Sequence, residues 1–284
     1  MWDWLKPREI VETRTRDDLV GATIVRVTET TTRIGRGPAP KLPDFVVAVD
    51  VETTGVAPDD RIVSLGAIWL ATASLAEGCF PVSYIHLVFD PGKKSHPKAA
   101  QIHGFDDWTL RHQEPFASYA ARIREFLHAG DVIVAHNADF DLGFINRELA
   151  IAGQPPIAKP ICCTIEGYRA LGLNGSASLS SVCFEMGLHR KGTIHGALED
   201  AWLALMVYLW LHGYEHCKPF SACGQHLELF NLRPAPPRPE RALPRRKRKN
   251  EAEKSWLPQE MGGSNTRSRT RGDPVEKRSG SMLG

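Results

Sequence analysis

Two carboxylates, Asp50 and Glu52, stand one residue apart at the end of the apolar run Phe45-Val46-Val47-Ala48-Val49. This run of mostly β-branched residues predicts a strand that is buried on both faces. Side chains two residues apart on a strand share a face, so both carboxylates point the same way. Two buried like charges need a neutralising cation, and oxygen ligands suit Mg²⁺ or Mn²⁺. An isolated Asp-x-Glu is more often a solvated strand end, so the metal interpretation depends on further acidic motifs.

Two such motifs follow, each at the end or the start of a regular element. The segment His136-Asn137-Ala138-Asp139-Phe140-Asp141 comes directly after the short apolar run 132–135. The segment His195-Gly196-Ala197-Leu198-Glu199-Asp200 opens a predicted helix over 197–211 that is apolar on nearly every side. Acids at the start of a helix also complement its dipole, and from either motif alone this structural interpretation is as good as the functional one.

The three motifs together resemble those of the DEDDh-type 3′→5′ exonucleases, the DnaQ-like family that includes the proofreading epsilon subunit of bacterial DNA polymerase III. The resemblance covers residues 45 to 212, and three motifs in the right order make it specific. Ile102-His103-Gly104 also resembles a segment of that family. The resemblance implies an α/β fold of the ribonuclease H-like type, a mixed sheet of an antiparallel meander plus parallel strands, flanked by helices.

The resemblance also implies roles for individual residues. Four acids would bind two Mg²⁺ ions, for which Mn²⁺ can substitute, and these are Asp50, Glu52, Asp141 and Asp200. His195 would be the general base, whereas Asp139 falls on the variable position of its motif. The pocket for the terminal nucleotide would be lined by Thr53, Thr54, Gly55, His103 and Phe140.

The implied activity is metal-dependent hydrolysis of phosphodiester bonds at DNA 3′ ends, in proofreading or repair, which releases nucleoside 5′-monophosphates. Single-stranded DNA or a frayed 3′ end would be the substrate. An RNA exonuclease of the RNase T type is one alternative, although the sequence Glu-Thr-Thr-Gly at residues 52–55 favours DNA. A non-catalytic adaptor for a polymerase or a sliding clamp is another, and the presence of all five catalytic residues argues against it.

The elements that must position these residues follow from periodicity. Strands are predicted over 61–70 and 83–89, and the short connections favour an antiparallel meander with the first strand. A helix over 116–128 followed by a strand over 132–135 predicts a parallel addition to the sheet. Further helices are predicted over 142–152, 164–171, 179–187 and 197–211.

The predicted domain organisation has four parts. Residues 1–44 are an extension of unknown role, and residues 45–215 are the exonuclease domain. Residues 216–233 are a linker, in which Gln225–Phe230 resembles the short Gln-Leu-x-Leu-Phe peptides that bind the sliding clamp. Docking of these residues on the protein's own core is an equally good alternative. Residues 234–284 are a disordered tail rich in Pro, Arg, Ser and Gly.

Charge and cysteine content bound the remaining possibilities. The tail carries 13 Lys and Arg against 6 Asp and Glu, whereas residues 1–233 carry 22 Lys and Arg against 27 Asp and Glu. Any electrostatic binding of nucleic acid is therefore local and not a property of the whole surface. The six cysteines show no disulfide framework, and neither a signal peptide nor a membrane span is predicted, which favours the cytoplasm. A zinc site is a lesser hypothesis for a late cluster of possible ligands, namely His212, His216, Cys217, Cys223 and His226.

Overall fold

The computed structural model describes residues 2–20, 23–77, 82–188, 195–214, 225–240 and 243. The strands are β1 (Arg8–Val20), β2 (Thr23–Gly35), β3 (Phe45–Thr53), β4 (Ile62–Ala71), β5 (Val82–Val88), β6 (Val132–Ala135), β7 (Ile161–Cys163) and β8 (Gln225–Phe230). The α-helices are α1 (Pro97–His103), α2 (Asp107–Leu110), α3 (Ala120–His128), α4 (Ala138–Ile151), α5 (Thr164–Ala170), α6 (Leu179–Glu185) and α7 (Ala197–Leu211). Short 3₁₀ helices cover Asp3–Leu5, Thr72–Glu77 and Phe116–Ser118.

A six-stranded mixed sheet forms the centre of the fold, with the order β7-β6-β3-β4-β5-β8. The strands β3, β4 and β5 make an antiparallel meander, and β6 adds parallel to β3. The strands β7 and β8 then add parallel at the two edges. The predicted fold class is therefore confirmed, with two edge strands that the sequence analysis did not predict.

Helices cover both faces of this sheet, so β3 is buried on both of its faces. Val46 and Ala48 pack in one core with Ala201 and Leu205 of α7. Val47 and Val49 pack in the other core, which α3 and α4 cover. Since α7 is apolar on nearly every side, it can lie between the sheet and the small helices α5 and α6. No helix within the described part of the chain has the length and apolar character needed to cross a lipid bilayer.

The N-terminal extension is partly integrated into the domain. Trp2 and Leu5 are buried in the core that α7 covers, and the Trp2 indole N–H donates to the carbonyl oxygen of Cys163 at 3.0 Å. The strands β1 and β2 form a separate two-stranded antiparallel sheet. This small sheet therefore begins three residues after the buried Leu5.

Of the two alternatives for Gln225–Phe230, the structure shows docking on the protein's own core. Gln225–Phe230, predicted to lie in a linker, pairs as an edge strand with β5. After this strand, the Asn231 amide bonds the backbone of Val88, and the Gln113 side chain bonds the backbone of Arg233. The predicted disordered tail begins at Pro234, yet the carbonyl oxygen of Pro236 accepts a hydrogen bond from the Trp108 indole at 2.7 Å. Residues 241–242 and 244–284 lie outside the described residues.

Candidate active site

The first two acids occupy the end of the central strand β3, on the face that α7 covers. Asp50 is half-buried and Glu52 is 9% exposed. Asp50 lies opposite Gly66 of β4, where a side chain would collide with the backbone of Leu198 at 2.3 Å. The absence of a side chain at Gly66 therefore lets the start of α7 approach the sheet directly beside the two carboxylates.

The start of α7 brings the third acid and the histidine to this place. Asp200 is 5% exposed, and its Oδ2 lies 3.3 Å from Nδ1 of His195. The backbone N–H of His195 donates to the carbonyl oxygen of Ile102 at 2.8 Å, which ties the histidine to α1. The His195 side chain remains 40% exposed. An open imidazole beside buried carboxylates can reach a bound substrate.

The fourth acid comes from α4, after a turn at the end of β6. Asn137 adopts φ +82°, the left-handed conformation that asparagine tolerates better than most residues, and the helix begins at the next residue. Asp141 is 2% exposed, and its Oδ1 accepts a hydrogen bond from the backbone N–H of Val51 at 3.1 Å. The carboxylate thus sits between Asp50 and Glu52 along the strand, whereas Asp139 is exposed to solvent.

The grouping of these acids has an electrostatic cost. Burial raises the pKa of the Asp141 carboxyl well above its ordinary value, and the nearby charges of Glu52 and Asp200 raise this pKa further. Glu52, His195 and Asp200 each offer a ligand atom, and these atoms lie within 4.8 Å of one another. Clustered buried carboxylates that repel one another are the donor set that a hard divalent cation neutralises. The residues present therefore fit a divalent metal.

The turn after β3 was predicted to line the nucleotide pocket. Contacts within the turn fix each of its three residues. Thr54 is wholly buried, with its hydroxyl donating to Oδ1 of Asp60 at 2.7 Å, so its side chain supports the turn instead of facing a ligand. Gly55 lies against the same carboxylate, because a Cβ there would meet Asp60 Oδ2 at 2.4 Å. Thr53 is 7% exposed and donates to the carbonyl oxygen of Gly55.

Two further residues predicted to contact the substrate make contacts within the protein. His103 is 3% exposed, and its ring nitrogens bond the hydroxyl of Ser95 and the backbone N–H of Phe105. Burial lowers the pKa of His103 to about 4, so the ring is neutral near pH 7. Phe140 is half-buried and packs on Phe144, with 4.8 Å between the ring centroids. The contacts of these residues with a substrate stay predictions.

A buried ion pair, which sequence reasoning did not find, holds α4 in place. Glu148 lies two turns after Asp141 on α4, is 2% exposed, and accepts two hydrogen bonds from the Arg61 guanidinium at 2.6 and 2.7 Å. Its carboxylate also accepts from the backbone N–H of Ile62. One face of α4 therefore docks through two carboxylates, Asp141 on β3 and Glu148 on β4. The spacing of seven residues in the sequence was the available signal.

His136, the first residue of the second motif, is likewise structural. Its ring nitrogens lie 2.8 Å from the hydroxyl of Thr164 and 2.9 Å from the carbonyl oxygen of Ala177. Burial lowers the pKa of His136 to about 4. The zinc hypothesis stays untested, because His216, Cys217 and Cys223 lie outside the described residues; His212 bonds the carbonyl oxygen of Tyr208.

The mixed sheet carries four acids and one histidine, at the end of its central strand and at the starts of two helices. This combination of a ribonuclease H-like fold and an acidic site defines a metal-dependent nuclease. Comparison with known proteins agrees. The RNase T family model, described as an exonuclease, matches residues 47–208. The epsilon subunit of DNA polymerase III from Rickettsia prowazekii is 30% identical over 193 residues, which cover 66% of this chain and 81% of the relative. The epsilon subunit from Escherichia coli is 26% identical over 63% of this chain and 76% of the relative.

A solved structure of exonuclease I shares the fold, with a TM-score of 0.51 and 19% identity. The match covers 60% of this chain and only 43% of the exonuclease I chain. The chain belongs to the exonuclease family, and the predicted resemblance and 3′→5′ exonuclease activity in proofreading or repair are confirmed. Its activity depends on a divalent metal. The roles of the individual site residues stay predictions.

Proposed function

We propose that this exonuclease removes nucleotides from the 3′ end of single-stranded or frayed DNA, with two Mg²⁺ ions, and releases nucleoside 5′-monophosphates. The observation that carries the proposal is the convergence of Glu52, Asp200 and His195 within 4.8 Å beside the buried carboxylate of Asp141. Asp50 shares a strand face with Glu52 and stands beside the start of α7. Asp50 would therefore belong to the set of carboxylates that hold the ions.

The metal ions, when bound, supply charge neutralisation for the phosphoryl oxygens and for the leaving oxygen. The chain's own residues do the remaining work. Asp50, Glu52, Asp141 and Asp200 would hold the ions, and the Val51 N–H orients the carboxylate of Asp141. The water oxygen forms the new bond to phosphorus while the bond from phosphorus to the 3′-oxygen breaks. The proton of the water must leave to a base.

His195 suits the role of that base. Its Nδ1 faces Oδ2 of Asp200 at 3.3 Å, so a proton on Nδ1 leaves Nε2 as the acceptor. The imidazole takes the water's proton and passes it to solvent through its exposed side, and the leaving 3′-oxygen takes a proton from solvent to become the 3′-hydroxyl of the shortened strand. The ring also lies close enough to Glu52 and Asp200 to act as a ligand, so the assignment as base needs a direct test.

The surroundings of the site support a single nucleic acid strand as substrate. Val56, directly after Gly55, is 85% exposed, and Ile102, whose carbonyl bonds the His195 backbone, is 45% exposed. Apolar side chains at this edge suit the face of an unpaired base. Lys94 and Lys98 are exposed on the loop and the helix next to it, where the sugar–phosphate backbone would pass. DNA is proposed over RNA on the basis of the relatives.

The test is digestion of 3′-labelled single-stranded DNA, mismatched duplex and single-stranded RNA, each with Mg²⁺. We expect 5′-mononucleotides from the first two substrates and much slower release from RNA. Asp50→Ala should be inactive because a metal ligand is lost, whereas Asp139→Ala, which changes an exposed acid, should be nearly as active as the wild type. Full activity of Asp50→Ala in chelator-treated buffer would contradict the two-metal proposal.

We further propose a DNA polymerase and its sliding clamp as partners, with β8 as the clamp contact. Leu227 and Phe230 are about half exposed, and the outer edge of β8 is not paired within the described sheet. Leu229, in the same strand, packs against the protein's own core. We therefore propose a clamp contact in which β8 stays paired in the sheet, in preference to one in which residues 225–230 are released as a flexible peptide.

The partner proposal is tested with the full chain and with a peptide of residues 222–233. Binding of a clamp by the chain, lost in the variant Phe230→Ala, would support it. Failure of both the chain and the peptide to bind the clamp would refute it, without bearing on the nuclease activity.

A further inference from the structure

Ser64 of β4 is a buried polar residue that the chemistry proposed above does not use. It has no exposed surface, and no hydrogen-bond partner lies within reach of its Oγ among the described residues. A hydroxyl buried in this way is unfavourable by itself, since it has lost its bonds to water. Buried side-chain polar groups normally have a partner, so this exception calls for an explanation.

The position of Ser64 in the sheet points to that partner. It lies directly opposite Glu52 in the antiparallel pairing of β3 with β4. Side chains of directly opposed residues share a face and have Cβ atoms about 4.5–5.5 Å apart. Ser64 is also two residues from Gly66, the position on which the start of α7 rests. Its hydroxyl is therefore enclosed between the Glu52 side chain and the helix start that carries Asp200.

We propose that Ser64 is a positioning residue of the metal centre, whose hydroxyl hydrogen-bonds the oxygen ligands around Glu52 when the metal is bound. Those ligands are the carboxylate of Glu52 itself or a water held by the ion. The hydroxyl fixes the direction in which Glu52 presents its oxygen, as outer partners of metal ligands do. The inference rests on the proposed function, because it needs a metal at Glu52.

Two properties of the variant Ser64→Ala test this role, namely its unfolding temperature without metal and its affinity for Mn²⁺. Without metal, Ser64→Ala should unfold at the same temperature as the wild type or at a higher one, since it removes a polar group without a partner. With metal, the same variant should bind Mn²⁺ about 10-fold more weakly, at the lower end of what outer partners contribute. An idle buried hydroxyl would give the same unfolding result without metal but would leave the Mn²⁺ affinity unaltered, so the Mn²⁺ affinity decides between the two roles.

The experiment measures Mn²⁺ binding by calorimetry and by the loss of the free-ion EPR signal, together with thermal unfolding in chelator. Ser64→Cys keeps a weaker donor and should bind Mn²⁺ with intermediate affinity. Ser83→Ala, on β5 and opposite Trp69, is the matched control and should bind as the wild type does. Wild-type Mn²⁺ affinity in Ser64→Ala would overturn the inference. Failure of the wild type itself to bind metal would instead refute the proposed function.

Discussion

At the scale of single residues, the site is a balance between burial and charge. Asp141 is enclosed and stands near two other carboxylates, and its remaining support is a hydrogen bond from the Val51 backbone. In the absence of metal the raised pKa of Asp141 means that the folded chain holds this proton more tightly than the unfolded chain. The stability that this proton confers is therefore complete at low pH and is lost as the pH rises through the folded-state pKa.

Asp141→Asn tests this balance. The amide keeps an oxygen for the Val51 N–H but removes the charge, so in chelator near pH 8 we expect the free energy of unfolding to rise. Exonuclease activity should be lost because a metal ligand is gone. Chemical unfolding at several pH values and the nuclease assay measure the two effects.

The neighbouring acid provides the control. Asp139→Asn changes an exposed residue on the same helix turn and should alter neither stability nor activity appreciably. An inactive Asp139 variant beside an active Asp141 variant would mean that the second motif has been aligned wrongly.

His195→Ala tests the role of the exposed imidazole. We expect a loss of 10²–10⁴-fold in turnover, roughly the contribution of a positioned base. Mn²⁺ binding should persist, because the proposal gives the metal to carboxylates. Single-turnover kinetics and Mn²⁺ titration on the same preparation separate the two roles. Loss of metal binding would reassign His195 as a ligand, which its distance to Glu52 and Asp200 allows.

At the scale of elements, the site depends on how closely α7 approaches the sheet. Gly66 is the contact point, since a Cβ there would lie 2.3 Å from the backbone of Leu198 and 2.5 Å from that of Ala197. Backbone atoms cannot move aside as a flexible side chain can, so the whole helix start must shift. Asp200 and His195 would shift with it, away from Glu52.

Gly66→Ala should therefore lower Mn²⁺ affinity by about 10–100-fold, with an overpacking cost of about 1–3 kcal/mol in stability. Gly143→Ala is the matched control, because it lies in α4 with nothing within 4 Å of the added Cβ. Replacing this helical glycine should instead stabilise the chain by about 0.5–1 kcal/mol and leave activity intact. Equal metal affinity in the two variants would show that the approach of α7 is not critical.

At the scale of the whole molecule, the exonuclease fold extends beyond the matched segment 47–208. The strand β8 completes one edge of the sheet, and the residues after it form hydrogen bonds with the rest of the domain as far as Pro236. The N-terminal Trp2 fills a place in the core beside α7. Segments on both sides of the matched region therefore contribute contacts to the domain.

Two truncations test this division. Removal of residues 241–284 should leave turnover on short oligonucleotides within about twofold of wild type, while binding to long DNA at low salt weakens because the basic run 245–249 is lost. Removal of everything from residue 225 onward should expose the edge of β5, lower the unfolding temperature and promote aggregation. Thermal unfolding, light scattering and turnover decide the matter, and a shorter chain as stable as the longer one would contradict the role of β8.

Local sequence determined the elements that carry the chemistry. The runs 45–49 and 132–135 are continuous apolar segments, and 197–211 has a single charged turn at its start, so their type and nearly all their boundaries follow from periodicity alone. The spacing of the acids within the three motifs then identified the family. Each of these signals lies within a few residues along the chain.

Contacts between distant residues were decided only by the tertiary structure. The bond from Val51 to Asp141, the pairing of Ser64 with Glu52 and the close approach of Leu198 to Gly66 each join separate elements, and no local pattern encodes them. Thr54 and His103 belong to motifs, yet their burial depends on Asp60, Ser95 and Phe105, which the motifs do not include. The strand β8 forms because β5 offers an open edge, a property of the assembled sheet and not of residues 225–230 themselves.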